Sequence, residues 1–382
     1  MAWRVTDVLN ERMRFVVRLE AGERMVDLCE EFGISRKTGY KFWERYKKGG
    51  PEALGDFSRR PRRFPNRTRA EIEDLILAAR ERYPTWGPKK LEVLLEQENP
   101  GVAIPVASTI GEILSRSGLV RPRRRRYRSS PTPPDQLTQA AAPNDVWCVD
   151  FKGQFRLGNG RYCYPLTITD LHSRYLVACD SQENTRTESA ISSFERAFKT
   201  HGLPKVIRSD NGSPFASTGL GGLSRLSVWW MRLGIRPERI QPGHPEQNGQ
   251  HERMHRTLKA DTTRPAAANH LQQDERFEEF RQTFNEKRPH EALDMATPST
   301  FYTPSTRVYP EVLDDPAYPL HDRVTRVQTC GHINASRDCR GFVGAAIGGE
   351  LVGLRDLETG WLVTFLNRDL GLLAHRGGFT PC

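Results

Sequence analysis

The chain has 382 residues, which is enough for several domains. It is basic, with 57 Lys and Arg against 47 Asp and Glu, and residues 1–128 hold 28 basic and 18 acidic residues whereas the remainder holds 29 of each. A basic segment of this kind indicates a polyanionic partner, either a nucleic acid or an anionic membrane surface. No apolar run approaches the roughly 18 residues of a membrane span, and the polar N-terminus is unlike a secretory signal.

Residues 1–55 are predicted to form a helix-turn-helix DNA-binding domain. Gly33 lies where the turn needs a permissive backbone, and Ser35 can cap the second helix. Gly39 departs from the usual pattern, in which a branched apolar residue occupies this position. The alternative is a small helical bundle with a solvated basic face. The predicted base-contacting residues of the second helix are Arg36, Lys37, Lys41 and Arg45.

Residues 68–120 are predicted to form a second helical, helix-turn-helix-like unit, with Ser108 capping its last helix. Residues 121–139 follow as a basic linker, and its beginning, RPRRRRYR, has six arginines in eight positions. Such a run must meet solvent or phosphate. The linker arginines predicted to contact DNA are Arg121, Arg123, Arg124, Arg125 and Arg126.

From about residue 140 the pattern changes to strands followed by helices. Residues 140–300 therefore predict an α/β core with helices over one mixed sheet. Residues 305–376 return to short glycine-separated strands, which predict a small β-barrel. The seven cysteines are scattered without a CxxC pair, which favours a reducing compartment, and the spacing of Cys330, His332 and Cys339 matches no zinc site.

Three carboxylates in the predicted α/β core are the candidate catalytic residues. Asp150 lies inside an apolar strand, where a carboxylate is unfavourable unless it is paired or binds a metal. Asp210 ends the strand-like segment KVIRSD, and Glu252 lies in the first turn of a predicted helix. Together they could bind hard divalent cations, and two such ions can catalyse phosphoryl transfer. Asp170 also ends a strand, but it precedes a hairpin and is predicted to be structural.

The stretches WCVDFKG, RSDNGSPF and RIQPGHPEQNGQHERMHRTLK resemble the catalytic core of DDE-type transposases of bacterial insertion sequences and of retroviral integrases. The resemblance covers roughly residues 140–300. It implies an RNase H-like fold in which two Asp and one Glu hold two Mg²⁺ ions, for which Mn²⁺ can substitute. By this resemblance Asp150, Asp210 and Glu252 are the catalytic and metal-binding residues.

The identity of the third carboxylate is open at this point. The spacing in the retroviral relatives would select Glu246, whereas the local pattern NGQHER and the helix start favour Glu252. Trp229 and Trp230 are predicted to belong to the core. The residues near the carboxylates that could contact DNA or water are Asn211, Gln247, Asn248 and His255.

The resemblance implies a DNA transposase that cleaves element ends and joins their 3′-hydroxyls to target DNA. Its partners would be the element's terminal inverted repeats and target DNA, bound by a homodimer or larger assembly, with no membrane partner. It would act in the bacterial cytoplasm in association with the nucleoid. The alternatives are an RNase H-like nuclease without joining activity and a non-catalytic DNA-binding repressor.

Overall fold

A computed structural model describes residues 7–57, 67–120 and 137–382, apart from residues 218, 243, 337–338 and 376–377. The chain divides into two compact units, Met1–Arg67 and Thr68–Cys382. The five linker arginines predicted to contact DNA fall between residues 121 and 126, outside the described residues. No helix within the described part of the chain is long and apolar enough to span a membrane.

The first unit contains three helices around a small apolar core. They are α1 (Val8–Glu20), α2 (Met25–Glu31) and α3 (Arg36–Gly49). Gly33 has a φ of 62° in the turn before α3, and the Ser35 side chain accepts a hydrogen bond from Thr38 N at 3.2 Å, so both expectations are confirmed. A Cβ on Gly39 would lie 2.7 Å from Cys29 Sγ, which explains why a branched residue is absent there.

A second set of helices opens the larger unit and has its own core around Trp86 and Leu91. They are α4 (Ala70–Arg82), α5 (Pro88–Glu98) and α6 (Ala107–Arg116). The prediction that Ser108 caps this helix is wrong, because α6 begins at Ala107 and its N-cap is Val106. The side chain of Val106 has no oxygen that could accept a hydrogen bond from the first turn. Lys89 pairs with Glu291 at 3.4 Å, which connects these helices to the α/β core.

The α/β core contains one mixed six-stranded sheet, as predicted. The strands are hydrogen-bonded in the order β2-β3-β1-β5-β6, and β4 also pairs with β3. The strands are β1 (Val146–Phe151), β2 (Phe155–Arg156), β3 (Tyr162–Asp170), β4 (Leu176–Gln182), β5 (Val206–Ser209) and β6 (Arg236–Arg239). β1 is antiparallel to β3 and parallel to β5, so the pairing changes from antiparallel to parallel at this central strand.

Helices cover both faces of this sheet. They are α7 (Thr187–His201), α8 (Arg225–Arg232), α9 (Gly249–Thr262), α10 (His270–Gln282) and the short α11 (Pro298–Phe301). α7 and α8 share a core with Trp147 of β1, in which Trp230 is fully buried and Trp229 is partly buried, as predicted. α9 and α10 share the opposite core, which includes Met254 and Phe277.

The C-terminal region is all-β. Its strands are β7 (Arg323–Arg326), β8 (His332–Asn334), β9 (Arg340–Phe342), β10 (Leu351–Leu357), β11 (Gly360–Phe365), β12 (Arg368–Ala374) and β13 (Phe379–Pro381). Five pair in the order β13-β12-β11-β10-β7, and β8 and β9 form a separate hairpin. The β prediction is confirmed, but the pairing between described strands leaves β13 and β7 as edges, so a closed barrel is not confirmed.

Candidate active site

The sheet brings two of the three predicted carboxylates to one edge. Cys148 of β1 pairs in parallel register with Arg208 of β5. When this register is continued two residues along each strand, Asp150 comes level with Asp210, because neighbouring parallel strands rise by the same distance per residue. The centre of the sheet therefore presents two aspartates side by side.

The third carboxylate comes from a helix that packs beside β1. Glu252 lies in the first turn of α9, where its carboxylate also faces the favourable end of the helix dipole. Burial, followed by the negative charges of Asp210 and Glu252, raises the pKa of Asp150 to about 7. The three predicted residues therefore lie on neighbouring elements: β1, the turn after β5 and the first turn of α9.

The loop after β5 is held by its own hydrogen bonds. Asp210 Oδ1 accepts a hydrogen bond from Gly212 N at 3.0 Å, and Asn211 Nδ2 donates to Ile240 O at 2.8 Å. A Cβ on Gly212 would lie only 3.1 Å from the Asp210 carboxylate. Glycine at this position therefore lets the turn close around the carboxylate, and Asn211 is engaged with backbone near the site.

A polar cluster lies beneath these carboxylates, between α9 and β3. The hydroxyl of Thr167 is 2.7 Å from His251 Nε2 and 2.6 Å from His255 Nε2. Thr169 Oγ1 lies 2.8 Å from His251 Nδ1. His255 Nδ1 lies 3.6 Å from the Asp150 carboxylate. These contacts connect α9, which carries Glu252, to β1, which carries Asp150, and to the neighbouring strand β3.

His255 was predicted to contact DNA or water, but only 3% of it is exposed. It lies on the buried face of α9 together with His251, Met254 and Leu258. The sequence contained the signal for this, since positions 251, 254, 255 and 258 follow the helical period of a buried stripe. Sequence reasoning overlooked His251 for the same reason, and nothing in β3 marked Thr167 as its partner.

The loop before α9 contains the other residues predicted to lie near the site. Gln247 Oε1 accepts a hydrogen bond from Gln241 N at 2.8 Å, and Gln247 Nε2 donates to Gln241 Oε1 at 3.2 Å. Asn248 is buried, and its Oδ1 has no hydrogen-bond partner within the described residues. Glu246 lies in the short 3₁₀ turn Pro245–Asn248, but its side chain is outside the described part of the structure.

The residues predicted to read DNA lie along α3. Arg36, Lys37 and Lys41 are exposed. Arg45 is half-buried, with its guanidinium 4.2 Å from the centre of the Phe57 ring. Three of the four residues therefore present exposed positive charge along one helix, although the ammonium of Lys41 lies 5.8 Å from the centre of the Phe42 ring.

Cys330, His332 and Cys339, whose spacing in the sequence matches no zinc site, have local hydrogen-bonding partners in the structure. Cys339 is buried and its thiol donates to Ala374 O at 3.1 Å, whereas Cys330 is exposed and lies 3.4 Å from His332 Nδ1. Within the described residues, the group whose ligand atoms lie within 4.8 Å of one another is Asp150, His251 and His255. Among those residues, neither the three predicted carboxylates nor the C-terminal cysteines form such a group.

The donor atoms of the three predicted carboxylates suit a hard divalent cation. The three side chains offer oxygen ligands, which Mg²⁺ and Mn²⁺ prefer in proteins. The raised pKa of Asp150 shows that burial and two negative neighbours disfavour its ionised form. A cation bound between the carboxylates would remove that cost, because it replaces repulsion with attraction.

Comparison with known protein families agrees with this architecture. Two models described as "Integrase core domain" match residues 140–245 and 233–298. A "Helix-turn-helix domain" model matches residues 11–63, and a "Homeodomain-like domain" model matches residues 38–114. The matched core contains all three carboxylates.

Curated relatives come from mobile elements and retroviruses. An uncharacterized 31.7 kDa protein of insertion element IS407 from Burkholderia multivorans is 29% identical over 233 residues, 59% of this chain and 78% of the relative. An uncharacterized 39.2 kDa protein of IS476 from Xanthomonas euvesicatoria is 25% identical, over 56% of this chain and 60% of the relative. The Gag-Pol polyprotein of baboon endogenous virus is 31% identical over 49% of this chain, which corresponds to 10% of the polyprotein.

Proposed function

We propose that this chain, which has an integrase core domain and helix-turn-helix domains and is homologous to insertion-element proteins and retroviral integrases, is a DNA transposase of the DDE type. The observation that carries the proposal is the placement of Asp150 and Asp210 on neighbouring parallel segments of the sheet and of Glu252 in the first turn of α9, all within the residues that the integrase-core models match. A front third with helix-turn-helix units supplies the recognition that a sequence-specific cut requires.

The proposed reaction has two phosphoryl transfers. In the first, a water oxygen attacks the phosphorus at the element end, and the departing 3′-oxygen takes a proton to give a 3′-hydroxyl. In the second, that hydroxyl attacks a target phosphorus and displaces another 3′-oxygen. The second step breaks one phosphodiester and forms one, so it needs no ATP and no covalent enzyme intermediate. Two divalent ions, when bound, would activate the attacking oxygen and stabilise the leaving oxygen.

The contribution of the chain is to hold these groups in place. Asp150 and Asp210 are fixed by the register of two parallel strands, and Glu252 by the start of α9. Ligands on strands and helices hold their geometry better than ligands on loops. The polar cluster between α9 and β3 then fixes the distance between Glu252 and Asp150.

We infer that Glu252 rather than Glu246 is the third ligand. The electrostatic effect of Glu252 on Asp150 supports this choice, because it requires the two groups to be near each other. Glu246 precedes α9, in the backbone of the short 3₁₀ turn Pro245–Asn248. The longer separation from Asp210 than in retroviral relatives is taken up by the loop between β5 and α8.

We propose that residues 1–128 bind the element ends. Arg36, Lys37 and Lys41 project from α3, the second helix of the helix-turn-helix, and would contact base edges. Arginines of the 121–126 run would contact phosphates and add affinity without sequence preference. Binding should weaken steeply with salt, since each neutralised phosphate releases counterions.

We further propose an architectural role for the C-terminal β region. Leu223 and Val228, the latter in α8, are buried in the same cluster as its strands, and Arg232 of α8 donates to Asp314 O at 2.6 Å. This region therefore extends the face of the α/β core near the Asp210 loop. In a homodimer or larger assembly on two DNA ends, it would support the second end or the target.

A supercoiled-plasmid assay tests the function. The substrate carries the DNA that flanks the gene, including any short inverted repeats, and is incubated with the full-length protein and Mg²⁺ or Mn²⁺. A transposase produces cut ends and joined products. Cutting without joining would indicate a nuclease, and binding without cutting would indicate a repressor; either result would overturn the proposal.

A further inference from the structure

The hydroxyl of Thr167 has three hydrogen-bonding neighbours, which determine the protonation of two histidines. Thr167 Oγ1 donates to the backbone carbonyl of Asp150 at 3.1 Å. A hydroxyl has one proton and two acceptor positions. Both imidazole Nε2 atoms, at 2.7 Å from His251 and 2.6 Å from His255, must therefore donate to this oxygen. Both histidines carry their proton on Nε2.

The two histidines differ in what their other nitrogen faces. Nδ1 of His251 is 2.8 Å from Thr169 Oγ1, which donates to it, so both ring nitrogens of His251 are satisfied within the fold. Nδ1 of His255 faces the carboxylate of Asp150 at 3.6 Å. This distance is too long for a hydrogen bond. The unprotonated Nδ1 of His255 therefore lies beside a carboxylate oxygen without a hydrogen bond between them, while only 3% of the residue is exposed.

A lone pair opposite a carboxylate is stabilised by a cation between them. Metal–nitrogen and metal–oxygen bonds of about 2.1 Å to the two atoms give an angle of roughly 120° at the ion when the atoms are 3.6 Å apart. That angle is close to those of tetrahedral and trigonal coordination. The pair is thus already spaced to share one ion without movement of α9 or β1.

We propose that His255 Nδ1 and Asp150 Oδ2 bind the same divalent ion, and that this nitrogen makes the site prefer a transition metal such as Mn²⁺ over Mg²⁺. The inference rests on the proposed function, since it places an additional ligand on one of its metal ions. Mg²⁺ is a hard cation that takes oxygen ligands, whereas an imidazole nitrogen favours first-row transition metals.

Pulsed electron paramagnetic resonance of Mn²⁺ bound to the full-length protein tests this directly. A coordinated imidazole gives ¹⁴N modulation of the Mn²⁺ spin echo. The wild-type protein should show this modulation at one equivalent of Mn²⁺, and His255→Gln should lose it. Glutamine is a suitable replacement, because its amide nitrogen can still donate to Thr167 in place of Nε2 while no nitrogen replaces Nδ1.

His251→Gln is the matched control. His251 lies on the same helix and bonds to the same hydroxyl, but its Nδ1 is bonded to Thr169. This variant should keep the ¹⁴N modulation. By calorimetry, His255→Gln should weaken Mn²⁺ binding about tenfold or more and Mg²⁺ binding much less, as expected for the loss of one nitrogen ligand.

The outcomes separate this inference from the proposed function. A wild-type protein that binds Mn²⁺ and cuts DNA but shows no ¹⁴N modulation would overturn the role of His255 and leave the transposase proposal intact. Equal weakening of Mn²⁺ and Mg²⁺ binding in His255→Gln would show that His255 only positions α9, and would also overturn it. A wild-type protein that neither binds Mn²⁺ nor cuts DNA would overturn both.

Discussion

An aspartate lies near each end of the β1–β3 ladder, Asp170 buried and Asp150 half-buried, and the two have different surroundings. Asp170 lies opposite Trp147 and receives hydrogen bonds from Asn144 N at 2.8 Å, and from Ser173 N and Oγ at 2.8 and 2.6 Å. Asp150 lies opposite Thr167 and faces two further carboxylates instead. Hydrogen bonds within the fold stabilise the carboxylate of Asp170. For Asp150 we expect a bound cation to supply the stabilisation.

Under the proposed function, this difference distinguishes Asp170 as a structural carboxylate from Asp150 as a catalytic one. Burial raises the pKa of both groups. At Asp170 the hydrogen bonds from Ser173 and Asn144 oppose the effect of burial. At Asp150 the negative charge of Asp210 adds to it, while Lys152 and the Phe151 backbone oppose it, and the pKa rises to about 7. A fold tolerates such an unfavourable carboxylate where a cation or substrate compensates for it. The predictions below test the contrast.

The largest effect is expected from Asp150→Asn. Removal of this charge should lower DNA cutting about a thousandfold or more, since a metal supplies several kcal/mol of charge stabilisation and each 1.36 kcal/mol is a factor of ten. Folding should not suffer, because asparagine removes repulsion from Asp210 and Glu252. Cutting of a labelled element end and thermal unfolding of the same preparation measure both. Substantial cutting by this variant would show that Asp150 is not a ligand.

Glu252→Gln should cause a comparable loss of cutting and joining while specific DNA binding is retained. Glutamine keeps the size of the side chain but removes the charge that attracts the cation. Glu246→Gln is the matched control, and it should cost no more than an ordinary surface substitution. Both variants are assayed with Mg²⁺ and Mn²⁺ on the same element end. An active Glu252→Gln beside an inactive Glu246→Gln would show that the retroviral spacing applies to this chain.

Asp170→Asn should lower stability rather than chemistry. The amide can accept fewer of the three hydrogen bonds that converge on the carboxylate, and it places a donor against the donors of Ser173. The expected loss is about 2–3 kcal/mol, because hydrogen bonds to a charged group contribute more than neutral ones. Denaturant unfolding gives the stability, and cutting per folded molecule should remain near that of wild type. A stable but inactive variant would reverse the assignment of the two aspartates.

Sequence reasoning reached the elements that depend on local pattern. Ser35 and Gly33 were identified because a cap and a turn are set by residues within a few positions of each other. The mixed sheet was predicted from apolar runs and their order. The position of α6's start was missed, because Val106 supplies no side-chain oxygen and the helix begins without a side-chain cap.

The candidate site was predictable in part. Its carboxylates stand out because an acidic residue within an apolar strand or at a helix start is unusual. The role of His255 was not reached, since it depends on Thr167, a residue 88 positions away that approaches α9 only in the folded sheet. The pairing order of the C-terminal strands, which leaves two edges, likewise depends on contacts that no local pattern encodes.

The smallest expected effect, and the most direct test of the contrast, is stabilisation by metal. An ion that binds only the folded state stabilises it by about 2.7 kcal/mol at a hundred times its dissociation constant. Mn²⁺ should therefore raise the unfolding temperature of the wild-type protein by a few degrees. Asp170→Asn unfolds at a lower temperature but should show the same rise, because its site is intact.

Asp150→Asn should show no rise, although it is folded, because it lacks the carboxylate that lies level with Asp210 and faces His255. The three proteins are compared by thermal unfolding with and without Mn²⁺, and with EDTA as the metal-free reference. Calcium is a useful second ion, since it binds oxygen ligands without supporting the same geometry as Mg²⁺. An equal rise in Asp150→Asn and wild type would place the stabilising ion elsewhere and remove the main physical distinction between the two ends of the ladder.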